Sequence, residues 1–509
     1  MTDAFAPPRN TIYALASAMP ARGGGAGLAV FRVSGPRADD ALVFMTEPGA
    51  FARGFSARDP SLPADRRANL RALIDPATGE VVDRGIVLWF PAPNSFTGES
   101  VVEFHVHGGR AVIAAMLAAL AALPFCRSAE PGEFTRRAFE HGKFDLTSAE
   151  AVADLVHADT AAQRRQALRQ FDGALYRLYE DWRTILLRAL AHLEAAIDFP
   201  DEDLPADVAA HALEPLDRLR EEIAAHLVDR RGERLRDGVS IAIVGPPNAG
   251  KSSLLNVLAR RDAAIVDAVA GTTRDVVEVH LDLGGYPVIV ADTAGLREST
   301  AAVEREGVRR ARARAASADL RLVVVQAADR AGVPGEWQRV ARDIATSAES
   351  WDPHTDLVVI NKIDLLPDRT GLEAALGGSG ADGHAPRVAW VGVSAKTGEG
   401  VAALVERLER QVAATIGEVP ATIDGAMAGA RAAAWQEPPP LTRARHREAL
   451  ERCLAALDRV ADAARARPDD SELLAEDLRI AARALARITG RMDVEDMLDM
   501  VFRDFCIGK

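Results

Sequence analysis

At 509 residues, 48% hydrophobic and 27% charged, the chain has material for about two to four domains with cores of their own, which excludes a disordered, collagen-like or low-complexity protein. A formal net charge of −13, from 61 basic and 74 acidic residues, excludes a protein that coats nucleic acid with its whole surface and leaves only a local basic patch open. Cys126, Cys453 and Cys506 are too few and too scattered for a disulfide framework or a four-cysteine zinc cage. A reducing, cytoplasmic location is therefore expected. No basic-then-apolar leader opens the sequence, and the longest apolar run, residues 111–123, stops at Pro124, too short to cross a bilayer.

Taken in chain order, residues 1–141 form the first segment. From residue 10 it mixes apolar runs at 27–33, 85–90 and 101–106 with a Gly-rich loop at 23–25 and an Ala-rich helix from Ala111, the pattern of an α+β domain. Residues 142–236 lack strand signals and carry Leu186, Leu190, Leu193 and Ile197 at helical spacing. Between 237 and 414 strand, loop and helix alternate, with strands expected at 239–244, 288–291, 320–325, 357–360 and 387–393. This is the signature of a mostly parallel sheet covered by helices on both faces. From 415 to 509 the helical pattern returns. Helix on both sides of an α/β block suggests insertion of that block into a helical domain; three successive domains are the alternative. Residues 377–386 and 437–440 read as loops.

Gly245-Pro-Pro-Asn-Ala-Gly-Lys-Ser252 is an eight-residue phosphate loop set between an apolar strand and a helix over 253–261. Its glycines let backbone N–H groups turn inward as an anion nest at the helix start, Lys251 reaches the terminal phosphates, and the Ser252 hydroxyl ligates Mg2+. Thr272-Thr273, Asp292-Thr293-Ala294-Gly295, Asn361-Lys-Ile-Asp364 and Ser394-Ala-Lys396 follow in order. The Asp364 carboxylate can accept from the N1 and amino groups that guanine has and adenine lacks, Lys362 lays its stem along the base, and the Ala395 N–H is available to the base oxygen. The set resembles the translation-factor-like GTPases and implies a Ras-like P-loop domain. Leu296 stands where many of these enzymes carry a water-orienting glutamine, so a polar group from elsewhere must serve, with Glu298, Glu304 and Glu306 as candidates. Asn248 is either a cation-holding carbonyl beside the triphosphate or a turn-stabilising side chain.

Only five of the 61 basic residues are lysine: Lys143, Lys251, Lys362, Lys396 and Lys509. Arginine is the default cation here, so each lysine marks a place for a compact ammonium. Three belong to the nucleotide motifs. Lys509 ends the tail Cys506-Ile-Gly-Lys509, and Met497, Met500, Val501 and Phe505 give the preceding segment an apolar face, so the tail is expected to dock. His105 and His107 alternate on one strand face; with no third ligand apparent they read as structural histidines rather than a metal site.

The whole chain resembles the MnmE (TrmE) family of tRNA uridine-5-carboxymethylaminomethylation GTPases. The resemblance rests on Asn10-Thr-Ile12, Phe31-Arg-Val-Ser-Gly35, Pro93-Asn-Ser-Phe-Thr-Gly-Glu99, His107-Gly-Gly109, Pro131-Gly-Glu-Phe-Thr-Arg-Arg-Ala-Phe139, the full GTPase set and the terminal Cys506 to Lys509. It implies a homodimer, an N-terminal dimerisation and folate-binding domain, a helical domain interrupted by the GTPase domain, and joint action with the FAD-containing partner MnmG, in a heterotetramer, at the wobble uridine of tRNA. Carried over by motif, Arg32, Glu103, Lys143 and Lys509 contact a tetrahydrofolate derivative, in its 5-formyl or methylene form. Glu304 positions the attacking water, and Cys506 is a candidate for the chemistry. GTP is held by Asn248, Ala249, Gly250, Lys251, Ser252 and Ser253, by Asp267, Ala268, Val269, Ala270, Gly271, Thr272 and Thr273, by Asp292 to Gly295, and by Asn361, Lys362, Asp364, Ser394, Ala395 and Lys396. Mg2+ falls to Ser252 and Thr273, and K+ to Asn248, Asp267, Val269 and Thr272; position 267 is Asp where the family pattern has Thr. Two other functions remain open on sequence: a ribosome-assembly or RNA-binding GTPase switch, and a folate enzyme with a regulatory GTPase domain.

Overall fold

The computed structural model describes residues 10–19, 26–53, 62–198, 208–246, 248–261, 278–292, 317–327, 355–366, 390–417, 439–466, 471–492, 498–499, 501–502 and 505–508. The chain divides into two compact units, one of residues 1–153, 170–198 and 471–509, the other of residues 154–169 and 199–470.

In the first unit, six strands form one sheet: β1 (Thr11–Leu15), β2 (Ala26–Ser34), β3 (Asn69–Ile74), β4 (Val81–Phe90), β5 (Val101–Gly108) and β6 (Cys126–Ser128), in the order β3-β4-β5-β2-β1-β6. All neighbours are antiparallel except β1 with β6. The period-2 alternation of β2 and β5 sorts their side chains. Ala29, Phe31 and Val33 pair with Val106, Phe104 and Val102 and pack with Leu42, Met45, Ile113, Met116 and Leu120 of the helices Ala38–Thr46 and Arg110–Ala121. Val30, Arg32, Glu103 and His105 therefore share the opposite face. The α+β reading of this segment holds. Strands β1, β3 and β6 were not expected: β1 and β6 are short, and in β3 Leu70 is 76% exposed, which blurs the alternation.

Helices Ala174–Asp198 and Ser471–Thr489 pack together in this unit, tied by Arg479 to Glu194 at 3.0 Å and Thr489 to Glu180 at 3.2 Å. Of the apolar face expected to dock the tail, Phe505 is buried and Val501 partly so, while Met497 and Met500 lie outside the described residues. Leu498, Phe502 and Phe505 are buried with Leu146 and Ala149, and burying each phenyl ring contributes about 2–3 kcal/mol. The Gly132 N–H donates to the Cys506 carbonyl, and Gly508 lies so close to the Leu15 carbonyl that a Cβ there would stand 2.7 Å from it.

The second unit holds the other sheet: β7 (Val239–Val244), β8 (Glu278–Leu283), β9 (Tyr286–Asp292), β10 (Leu320–Gln326), β11 (Asp356–Asn361) and β12 (Trp390–Gly392), in the order β12-β11-β10-β7-β9-β8. Every pairing is parallel except β8 with β9. Parallel strands covered on both faces need continuous apolar runs, and β11 is buried along its whole length. The hairpin strand β8 was not expected, because it is half exposed and lacks the unbroken apolar run by which the parallel strands were read. The loop at 377–386 and the first part of the strand expected at 387–393 lie outside the described residues.

Helix Ala161–Phe171, read from sequence as part of the helical region, contributes to this sheet's core. Ala162 is 1% exposed in the cluster that includes Leu283, Tyr286 and Val290, and its N–H donates to the Gly285 carbonyl at 3.1 Å in the β8–β9 turn. Gln163 and Gln166 donate to the carbonyls of Arg236 and Gly232, both at 3.0 Å, in the short helix Arg231–Asp237 that leads into β7. Arg234 of that helix bonds Asp319 at 2.9 Å and the Thr415 carbonyl at 3.3 Å.

Candidate functional site

The nucleotide motifs stand at the carboxyl ends of parallel strands, where open α/β sheets place their ligands. The phosphate loop follows β7, Asp292 closes β9, Asn361 closes β11, and Ser394 to Lys396 follow β12. The helix after the loop spans Lys251–Arg261, so the loop's N–H groups sit at a helix start. Gly250 has φ +90°, and a Cβ on it would collide with the Asn361 amide. Asn248 adopts the left-handed conformation at φ +64°, which asparagine tolerates better than most residues.

Asn361 joins three loops. Its side chain is buried; Nδ2 donates to the Ala249 carbonyl at 2.9 Å, and Oδ1 accepts from the N–H groups of Lys362 at 2.8 Å and Ala395 at 3.1 Å. The Ala395 N–H, expected at the base oxygen, is thus engaged by Asn361. Lys362, itself at φ +64°, donates from Nζ to the Asn248 carbonyl at 2.7 Å and to Gln326 Oε1 at 2.6 Å. Lys251 is 7% exposed and donates from Nζ to the carbonyls of Gly245 and Pro246, both at 2.9 Å. The Ser394 hydroxyl donates to Asp364 Oδ1 at 2.7 Å, orienting the carboxylate expected to read guanine. Ser252, Ser253 and Lys396 are exposed.

Gln326 escaped the sequence reading because it belongs to no motif. Its signal was position: it ends β10 in register with Asn361 on β11, so both stand at the same edge of the sheet. Asp267, Ala268, Val269, Ala270, Gly271, Thr272, Thr273, Thr293, Ala294, Gly295, Glu298, Glu304, Glu306 and Lys509 lie outside the described residues, as does the side chain of Asp292.

In the first unit Arg32 and Glu103 face each other across β2 and β5, with Arg32 Nη2 2.9 Å from Glu103 Oε1. The Arg32 guanidinium lies 5.2 Å from the ring centre of Phe96, which packs at 5.4 Å on Phe144, the neighbour of Lys143. Lys143 is exposed, and its Cε comes within 3.4 Å of where a Cβ on Gly98 would stand. Phe96 was missed because its role comes from these neighbours. Beside it, Arg137 bonds Glu99 at 2.8 Å and Glu133 at 2.9 Å. Burial works to raise the Glu133 carboxyl, yet bonds from Arg127, the Glu130 N–H and Arg137 hold it below the usual carboxylate range. Cys506 is exposed, and among the described residues no group of His, Cys, Asp and Glu is arranged to hold a metal. No described helix is long and apolar enough to cross a membrane.

Two family models cover the chain, the TrmE N-terminus of GTP-binding proteins over residues 11–143 and the MnmE helical domain over residues 146–506. The chain belongs to the MnmE (TrmE) family. A tRNA modification GTPase MnmE of Parvibaculum lavamentivorans is 54% identical over 98% of this chain and 100% of its own length, and that of Rhodospirillum rubrum is 51% identical over 98% and 99%. The human mitochondrial 5-taurinomethyluridine-[tRNA] synthase subunit GTPB3 is 46% identical over 98% and 93%. As a member of the MnmE family the chain is an enzyme, a GTPase of tRNA modification.

Proposed function

We propose that this MnmE-family GTPase acts, as a cytoplasmic homodimer with the FAD-containing MnmG, in forming the 5-carboxymethylaminomethyl or aminomethyl group on wobble uridine of tRNA, with a tetrahydrofolate derivative as one-carbon donor and K+ stimulating GTP hydrolysis. The observation that carries the folate part is the half-buried Arg32–Glu103 pair on the sheet face opposite the packed helices. A carboxylate accepts from an amide–amino edge of the kind a pterin presents, and a guanidinium suits the polar oxygens of the folate. Lys143 and Lys509 complete that site in this reading. The exposed Leu28, Leu70 and Ile86, from the same unit's β2, β3 and β4, supply apolar surface of the kind a second copy would cover. The relatives' tRNA names favour this reading over a ribosome-assembly switch.

In the GTPase part, residues 237–414 of the proposed inserted domain, Lys251 leaves its two loop carbonyls for the terminal phosphates, and Asp364, oriented by Ser394, accepts from guanine. The oxygen donors fit the ions: the Ser252 hydroxyl in the first helical turn, with Thr273, suits Mg2+. The left-handed turn at Asn248, beside the phosphates, suits a K+ shared with Asp267, Val269 and Thr272. When bound, the two cations neutralise charge developing on the phosphates. Glu304 holds the attacking water, since Leu296 cannot. The test is mass spectrometry of tRNA nucleosides from cells lacking this protein. The 5-substituted wobble uridine should vanish and return with the wild-type gene but not with Arg32→Ala; its persistence without the protein would overturn the reading.

A further inference from the structure

Arg32 contacts one oxygen of Glu103: its Nε donates to Oε1 at 3.0 Å, and Nη2 stands 2.9 Å from the same oxygen as an ion pair. A carboxylate anchored through a single oxygen can still swing about that anchor, because the terminal torsion of a glutamate is broad. The second oxygen is met from the same strand. His105, two residues along β5, stands with Nε2 3.3 Å from Glu103 Oε2. The three side chains of Arg32, Glu103 and His105 are only 16, 16 and 23% exposed. Arg32 is fixed in turn by the rings of Phe96 at 5.2 Å and Phe134 at 5.8 Å. His107 is different: its Nδ1 pairs with Asp83 at 3.0 Å and its ring is 74% exposed. The two alternating histidines therefore have separate tasks.

We propose that His105 is a positioning residue of the folate site. Donating from Nε2 to Glu103 Oε2, it fixes the plane of the carboxylate and leaves the outward acceptor positions aimed at the amide–amino edge of a pterin. The count of acceptor positions supports this. A carboxylate offers about four; Arg32 Nε takes one on Oε1 and His105 one on Oε2, so the geometry of what remains for a ligand depends on both partners. The proposal rests on the folate reading above.

The test is calorimetric titration of the full chain with 5-formyltetrahydrofolate and with its 2-desamino-2-methyl analogue, which lacks the amino donor. His105→Leu keeps the volume and removes the donor. It should weaken 5-formyltetrahydrofolate about tenfold and erase the preference over the analogue, whereas His105→Gln, which still donates, should retain both. An equal loss for the two ligands in His105→Leu, or unchanged affinity, overturns the proposal while Glu103→Gln, by abolishing binding, leaves the folate reading standing. A wild-type protein that binds neither ligand overturns the folate reading and the proposal together.

Discussion

Replacing Asn361 with alanine removes a side chain that holds three loops of the nucleotide pocket in one arrangement. Three hydrogen bonds are lost, one to the Ala249 carbonyl and two from the N–H groups of Lys362 and Ala395, all made by a residue only 1% exposed. A buried bond lost with its partner left unsatisfied costs about 1–3 kcal/mol. Water can enter the loosened pocket, so the low end of that range applies, and the sum is about 3 kcal/mol. That corresponds to a rise in the dissociation constant for GDP or GTP of about two orders of magnitude. Fluorescence titration with a labelled guanine nucleotide measures it directly, with circular dichroism to show that the variant is folded. Ser394→Ala, which removes one bond to Asp364, serves as a graded comparison and should weaken binding about tenfold. A folded Asn361→Ala protein whose affinity lies within about threefold of wild type would show that the three loops hold their places without this residue.

Acid should destabilise the protein partly through His226. Burial pushes its imidazole down to about 4, with Asp229 resisting and Arg447 adding to the shift, from an ordinary 6.5. Between those values the unfolded chain takes up a proton that the folded protein refuses, so stability falls as pH drops from 6.5 towards 4, by up to about 3 kcal/mol. His226→Gln leaves nothing to titrate there, and its melting temperature should drop less than that of wild type between pH 7 and pH 5; parallel curves would refute this. Alkylation offers a simpler check. Burial pushes the thiols of Cys126 and Cys453 up to about 12, while Cys506 is exposed. Iodoacetamide should therefore give a single adduct on the native protein, at Cys506, read from the intact mass, and further adducts only after denaturation; prompt labelling of Cys126 or Cys453 would contradict the packing.

The parts legible in the sequence were those whose chemistry demands particular residues at fixed spacing. Gly250 must be glycine because a Cβ would strike Asn361, and Lys251 and Asp364 bring functional groups that few other residues supply. The parallel strands were equally open, since strands such as β11 are buried throughout and read as unbroken apolar runs. What escaped depends on neighbours in space. Gln326, Phe96 and His105 acquire their roles from sheet register and ring packing, with Lys362, Arg32 and Glu103 respectively. The short strands β1 and β6 are too brief to show a period, and β3 hides its own behind the exposed Leu70. The helical reading of residues 142–236 took in the helix Ala161–Phe171 without bounding it and could not say which core its small residues would fill.

That helix bears on how the protein comes apart. A fragment cut to residues 237–414 would leave out Ala162, a buried member of the sheet's core cluster, and strip the Gly285 carbonyl of its donor. It would also lose Arg234, whose guanidinium clasps Asp319 and the Thr415 carbonyl. The nucleotide-binding sheet and the two helices that precede it should consequently unfold as one cooperative body, with amide protons of the β8–β9 hairpin and of residues 161–169 exchanging at matching rates.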